Sequence, residues 1–147
     1  MVRINLINPK CLTDQHLIAE YDEILMLLGY VEKYPKIKII KGKSEIPEKY
    51  TLNKGHMKFF KDKLIYIKNR HELLKKEMLK RRFKPNKTIN LNRYSKNLRN
   101  DWKPEKDDYE VITRRIMWKI NKKPKYYRYY GKYKGKKFLI ELLSKHK

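Results

Sequence analysis

The stretch HMKFFKDKLIYIKNRHELLKKEMLKRR, residues 56–82, decides the fold. Its apolar side chains recur three or four positions apart, and this spacing predicts one continuous helix with a stripe that faces a core. The other faces carry lysines, which favours contact with solvent there. The predicted stripe consists of Met57, Phe60, Leu64, Ile67, His71, Leu74 and Met78.

A second helix is predicted nearer the amino end, after an extended start, RINLINP, at residues 3–9. Thr13 is a typical capping residue, and Gly29 is a typical stop signal. Residues 34–55 contain two prolines and two glycines between short apolar pieces, which predicts a mostly irregular loop. The apolar residues of the helix are Leu17, Tyr21, Ile24, Leu25 and Leu28.

A third helix is predicted after a long, asparagine-rich connection over residues 84–104. Pro104 precedes a group of acidic residues, and acidic side chains suit the positive end of a helix dipole. The helix should end before Pro124. Its early acids are Glu105, Asp107 and Asp108, and its apolar stripe is Tyr109, Ile112, Ile116 and Ile120.

The carboxyl-terminal tail, KYYRYYGKYKGKKFLIELLSKHK, alternates aromatic residues with cations and ends in a short apolar segment. That segment, FLIELL, predicts one or two final helical turns. With 147 residues the chain fits one domain, residues 1–147. We therefore predict an all-α fold, a compact single domain of three main helices with long loops and a basic aromatic tail.

Positive charge dominates the chain, with 39 Lys and Arg against 16 Asp and Glu and a net charge of +23. Such an excess indicates a partner rich in phosphates, and nucleic acid is the favoured class. An anionic membrane surface or another polyanion is a weaker alternative. A solvated basic surface is the other alternative, because the abundance of Lys, Ile, Asn and Tyr is typical of an AT-rich genome.

Cellular location follows from cysteine usage and hydropathy. Cys11 is the single cysteine, so an intrachain disulfide is impossible and a reducing compartment is expected. No apolar run reaches the roughly 18 residues of a membrane span, and a secretory signal is missing. We expect a soluble, intracellular protein of the cytoplasm or nucleoid, without a membrane partner.

Motifs for common cofactor and metal chemistry are absent. There is no glycine-rich phosphate loop, HExxH motif or CxxC pair. His16 and Glu20 lie one helical turn apart and could share a metal, but capping, packing or DNA contact is favoured for His16. The expectation is therefore no metal and no cofactor. The histidines of the chain are His16, His56, His71 and His146.

Four segments together carry a family resemblance: RINL, DQHLIAEYDE, LNKGHMKFFKDKL and KPKYYRYYGK. In this order they resemble the phage-type pyrimidine-dimer DNA glycosylases, historically called endonuclease V. The resemblance covers about residues 1–83 and 109–132, whereas residues 133–147 extend past the family pattern. It implies a compact helical monomer that acts on lesion-containing double-stranded DNA and also cleaves at the abasic site.

The resemblance also implies the catalytic residues. The nucleophile would be the α-amine of Val2, exposed by removal of the initiator methionine, and Glu23 would stabilise positive charge and shuttle protons. The acidic cluster of DQHLIAEYDE would thus lie where cationic intermediates form. The alternative is that Glu20, Asp22 and Glu23 are simply a polar helix face.

Further positions match family residues that contact DNA. Arg115, Lys119 and Lys122 follow one another at helical spacing, and such a ridge of cations suits a phosphate backbone independently of the resemblance. The tail tyrosines either recognise the lesion or pack against the first helix. The matched DNA-binding positions are Arg3, Gln15, His16, Tyr21, Arg115, Lys119, Tyr126, Tyr127 and Tyr129.

Two positions depart from the family pattern. Asp22 and Met26 stand where the family usually has phosphate-binding arginines. An aspartate beside DNA exchanges attraction for repulsion, which affects lesion preference more than amine chemistry. If Met1 is retained, the Val2 nitrogen is an amide and cannot form an imine. The alternative function is then a non-catalytic nucleic-acid-binding protein derived from the same fold, for example on structured RNA within a larger assembly, which the high charge and the Tyr/Lys tail suit.

Overall fold

The computed structural model describes residues 2–145, and the predicted all-α fold is confirmed. Met1, His146 and Lys147 lie outside the described residues, including the end of the predicted extension. Among residues 2–145, four helices are substantial rather than three, because the tail forms a regular helix. The helices are α1 Asp14–Lys33, α2 His56–Phe60, α3 Leu64–Lys80, α4 Lys106–Lys122 and α5 Lys136–Leu143. Single 3-10 turns span Pro9–Cys11 and Lys96–Leu98.

The continuous helix predicted for residues 56–82 is wrong, because the chain turns between α2 and α3. At the turn the side chain of Lys61 is fully buried. Its ammonium donates to the Lys36 carbonyl at 2.6 Å and pairs with the Glu45 carboxylate at 3.0 Å. A straight helix would not bring this ammonium to those oxygens, so the loop upstream and the turn stabilise each other.

The predicted end of the first helix at Gly29 is also wrong, because α1 continues to Lys33. The extra turn buries Val31 completely, which extends the apolar stripe of the helix. The loop over residues 34–55 is mostly irregular, as predicted, but contains a small antiparallel hairpin. Its strands are β1 Ile39–Ile40 and β2 Lys43–Ser44. Gly42 supplies the positive φ of 77° that the tight turn requires.

The core lies between α1, α3 and the extended segment at residues 2–8. An ion pair crosses this core: Arg70 of α3 reaches Glu20 of α1 with two hydrogen bonds, of 2.7 and 3.0 Å. Asn5 donates to the same carboxylate at 3.0 Å. Each large apolar side chain buried here contributes roughly 1.5–3 kcal/mol, and the satisfied ion pair fixes how the two helices meet.

α4 begins and ends where the sequence predicts. Glu105 and Asp108 form a reciprocal capping box, in which the Glu105 backbone N–H donates to the Asp108 carboxylate at 2.8 Å. α5 buries Leu139 and Leu143 and packs on α4 and on the Pro9–Cys11 turn. No helix in the described part of the chain combines the length and the apolar character of a bilayer-spanning segment.

Candidate active-site cleft

A cleft of about 530 Å³ opens between α1 and α4, beside the amino-terminal segment. Of the eleven site residues predicted from sequence, eight line it. These eight are Arg3, Gln15, His16, Glu23, Arg115, Lys119, Tyr126 and Tyr127. The structure thus brings together residues that are up to 124 positions apart in the sequence.

A larger cavity, of about 1060 Å³, adjoins the cleft. Val2 lines this cavity, and Arg3 and Arg115 line both spaces, so they form the wall between them. Met26 also lies here, with the apolar residues Leu52 and Met57. Met26, which departs from the arginine expected by resemblance, therefore lines this cavity.

Glu23 of α1 lines the cleft beside the amino-terminal segment. Its side chain is partly buried and accepts a hydrogen bond from the Arg3 backbone N–H. Burial raises the pKa of Glu23, and this hydrogen bond opposes part of the rise. The Val2 nitrogen is only three covalent bonds from the Arg3 nitrogen, so it lies close to the backbone N–H that binds Glu23.

The amino-terminal segment is held by a loop that the sequence analysis did not assign to the site. The Ile4 N–H donates to His56 Nε2 at 2.9 Å, and the Tyr50 hydroxyl donates to the Ile4 carbonyl at 2.7 Å. Arg3 Nη1 donates to the Leu52 carbonyl at 2.8 Å. Both backbone groups of Ile4 are therefore satisfied by buried side chains.

The sequence carried one signal for His56, because it lies within the family-like segment LNKGHMKFFKDKL. Its Nδ1–H donates to the Thr51 carbonyl at 2.7 Å, which leaves Nε2 as the acceptor for Ile4. Burial lowers the pKa of His56 to about 4, against a weaker opposite effect of that carbonyl and with a further lowering by Arg3. The ring is therefore neutral near pH 7, as the hydrogen bond to Ile4 requires.

His16 and Gln15 connect α1 to the tail. The His16 ring stacks on Tyr127 with centroids 4.8 Å apart. Gln15 donates to the Tyr126 carbonyl at 3.0 Å and accepts from the Arg128 N–H at 2.9 Å. Of the two roles predicted for the tail tyrosines, packing against the first helix is thus seen for Tyr127.

The pKa of His16 is lowered to about 4, mainly by burial and secondly by Lys119. His16 Nδ1 is hydrogen-bonded to the Thr13 hydroxyl at 2.8 Å. Because this pKa lies well below 7, the ring is neutral at physiological pH. It therefore adds a polar but uncharged surface to the cleft.

Three cations crowd the cleft. Burial and the neighbouring charges of Arg115 and Arg3 lower the pKa of Lys119, and Glu23 opposes this only in part. The pKa of Arg3 is lowered by burial and by Arg115. Such mutual depression marks a site of concentrated positive charge, which suits a phosphate backbone.

Tyr21 and Tyr129 lie elsewhere. Tyr21 is buried against His71, with ring centroids 4.5 Å apart, and its hydroxyl accepts from the Lys87 N–H at 2.7 Å. Tyr129 donates to the Lys10 carbonyl at 2.9 Å and lies against Arg81. These contacts assign both rings to packing, and DNA contact by either one stays a prediction.

The acidic residues of DQHLIAEYDE have separate roles rather than one. Asp14 binds the tail and Arg81, Glu20 is paired with Arg70, and Asp22 is exposed. Of these acids, Glu23 is the one whose carboxylate the Arg3 N–H holds in the cleft. Because Glu20 is committed to Arg70 and Asn5, the suggested metal pair of His16 and Glu20 is not formed. Among residues 2–145, no cluster of three or more His, Cys, Asp or Glu side chains is arranged to hold a metal ion.

The sequence model of the family described as pyrimidine dimer DNA glycosylase matches residues 1–91, which is more than half of the chain. The matched region contains Val2, Arg3, Glu23 and His56, together with α1, α2 and α3. α4, the tail and α5 lie beyond it. This chain belongs to the pyrimidine dimer DNA glycosylase family.

Proposed function

We propose that this protein is a DNA repair glycosylase and abasic-site lyase that acts on pyrimidine dimers through the α-amine of Val2. One observation carries the proposal: the Arg3 N–H, one peptide unit from Val2, is hydrogen-bonded to Glu23 at the edge of a cationic cleft. Family membership supports the substrate class. The protein would act as a monomer on double-stranded DNA.

The nucleophile is an amine that is partly uncharged at neutral pH. An α-amine has a pKa of about 7.7–8.0, against about 10.4 for a lysine side chain, so a useful fraction can attack. The mechanism requires Val2 to be the first residue of the active chain, after removal of Met1. The small side chain of valine suits that removal.

The reaction then needs no metal in any of its steps. The Val2 nitrogen attacks C1′ of the damaged nucleotide, and the base leaves with the electrons of the glycosidic bond. The sugar ring opens and C1′ is left as an imine to nitrogen. Loss of a C2′ proton then breaks the bond between C3′ and its phosphate oxygen, and water releases the amine.

Glu23 suits the two demands of this sequence. As a carboxylate it stabilises the positive charge that develops on the sugar and the imine. Its raised pKa makes it a better proton acceptor and donor near neutrality than an exposed glutamate. Arg3, Arg115 and Lys119 would hold the phosphates on either side of the nucleotide.

Borohydride trapping tests the proposal directly. Reduction of the imine on abasic-site DNA should give a covalent adduct, and mass spectrometry should map it to Val2. A chain that retains one extra residue before Val2 should give no adduct. Glu32→Gln, which changes an exposed acid at the far end of α1, is a matched control that should leave trapping intact.

An adduct on a lysine, or no adduct at all, would contradict the proposed nucleophile. If DNA or structured RNA were still bound tightly, the alternative of a non-catalytic nucleic-acid-binding protein would replace it. Intact mass measured on the same sample reports the state of the amino terminus. Trapping therefore separates the two functions without reference to lesion preference.

A further inference from the structure

The exposed indole of Trp118 on α4 is not used by the proposed reaction. It is 49% exposed, although tryptophan usually contributes to cores. Two cations contact its ring: Arg115 Cζ lies 4.7 Å and Lys122 Nζ 4.8 Å from the centroid. The second tryptophan, Trp102, is instead packed in the aromatic cluster, 5.0 Å from Phe59.

This indole is continuous with the cleft. Arg115 lies three positions before Trp118 on the same helix and also lines the cleft and the adjoining cavity. Lys119 is the next residue along α4 and lines the cleft as well. A strand whose phosphates contact Arg115 and Lys119 would therefore pass beside the ring of Trp118.

The phosphates and bases of such a strand suit Trp118 and its two neighbouring cations. At an exposed position, phosphates attract the guanidinium of Arg115 and the ammonium of Lys122 more strongly than an aromatic face does. Both cations can therefore move from the indole to the phosphates of the DNA backbone. The indole face is then open to a nucleobase, and base–aromatic stacking is among the stronger contacts of single strands. A paired base is already stacked on its neighbours, so only an unpaired base offers a free face.

We propose that Trp118 is a stacking platform for one unpaired base of a single-stranded DNA segment that leaves the cleft along α4. The proposal rests on the proposed function in one respect, because cleavage at an abasic site interrupts a strand and frees its ends to unstack. Arg115 and Lys122 supply the phosphate contacts on either side of the ring.

The test compares a duplex that contains a gap of three unpaired thymidines with an intact duplex of equal length, at one fixed salt concentration. Trp118→Ala should reduce the preference for the gapped duplex about five- to tenfold. Trp118→Phe should retain part of the preference. Tyr133→Ala is the matched control, since Tyr133 is 53% exposed and contacts a cation, Arg128, at 5.5 Å but lies in the tail. It should bind both duplexes like the wild type.

Fluorescence gives a second readout. Gapped DNA should quench the emission of the wild type, and this quenching should be absent from Trp118→Phe, which retains only Trp102. The proposal is overturned if Trp118→Ala keeps the wild-type preference, or if it weakens binding to both duplexes equally. Quenching by single-stranded RNA without quenching by DNA would overturn the choice of DNA.

The two proposals fail independently. If the wild type gives no borohydride adduct but its Trp118 emission is quenched by gapped DNA, the catalytic proposal fails and the platform stands. If the adduct maps to Val2 and the gap preference does not depend on Trp118, only the platform fails. Circular dichroism of each variant confirms that the helices are intact.

Discussion

The core and the cleft of this protein differ in how their cations are balanced by carboxylates. In the core, Arg70 has two hydrogen bonds to Glu20 and a third to the Ile7 carbonyl. Arg81 is paired in the same manner with Asp14 and Glu77. Each buried guanidinium is therefore matched by carboxylate, as burial of a charge requires.

In the cleft the cations outnumber the available carboxylate. Arg3, Arg115 and Lys119 line the cleft together with Glu23, and burial together with their mutual repulsion lowers the pKa of Arg3 and of Lys119. In this lysine- and arginine-rich protein, acidic residues thus lie beside the buried cations of the core, and few lie in the cleft. Neutralised cations hold the helices together, and under the proposed function the cations concentrated in the cleft bind DNA phosphates.

Arg70→Met should have the largest effect, because it leaves the Glu20 carboxylate buried without its cation. We expect a loss of about 3–5 kcal/mol in the free energy of unfolding, measured by urea denaturation. The double variant Glu20→Gln with Arg70→Met should recover most of it, since no charge is then buried. A single variant within about 1 kcal/mol of the wild type would contradict the role given to this pair.

Glu23→Gln should abolish chemistry without weakening the fold. We expect the rate of borohydride trapping to fall roughly 10²–10³-fold. The pKa of Glu23 is raised in the folded state, so ionisation opposes folding as pH rises through the carboxylate range. The variant should therefore unfold at the same or a higher temperature at pH 7, and the difference should shrink in acid. A clear loss of stability at pH 7 would make Glu23 a structural residue.

His56 should make the protein sensitive to acid. Its folded pKa of about 4 lies below the usual 6.5, so the unfolded chain binds the extra proton between these values and stability falls as pH falls. The expected slope is about 1.4 kcal/mol per pH unit for this histidine. His56→Gln keeps an acceptor for the Ile4 N–H and removes the titration, so urea unfolding at pH 7 and pH 5 should show a smaller difference. An unchanged pH dependence would refute this assignment.

Lys119→Ala should give the smallest effect and the clearest signature. Loss of one phosphate contact should weaken binding to any DNA severalfold and reduce the slope of log K against log salt by about 1. Lys76→Ala, an exposed lysine of α3, is the control that should leave the slope unchanged. Equal slopes for both variants would show that the cleft is not the DNA-binding surface.

Local signals predicted local structure well. The position of α4 follows from Pro104 and the early acids, and the start of α1 follows from Thr13. The turn at Lys61 was not predictable, because it depends on Glu45, sixteen positions upstream in an irregular loop. The extension of α1 past Gly29 depends likewise on the burial of Val31.

In the site, too, local patterns were predictable from sequence and contacts between distant residues were not. The residues of the cleft came from short family-like segments and a helical ridge, and tertiary structure brought eight of them together. Tyr50 and His56 were missed as anchors, since a hydrogen bond to Ile4 across about fifty residues leaves no local pattern. Tyr21 matched the pattern, but its ring is used in packing on His71.

Under the proposed function, the double anchoring of Ile4 by Tyr50 and His56 has a kinetic consequence. The chain from this fixed residue to the Val2 nitrogen is two residues long, roughly 7 Å when extended. An amine on so short a tether samples a small volume and is present at high effective molarity for any sugar carbon placed beside it. The entropy of restraining the nucleophile is thus lost once, when the chain folds, and not again at each turnover.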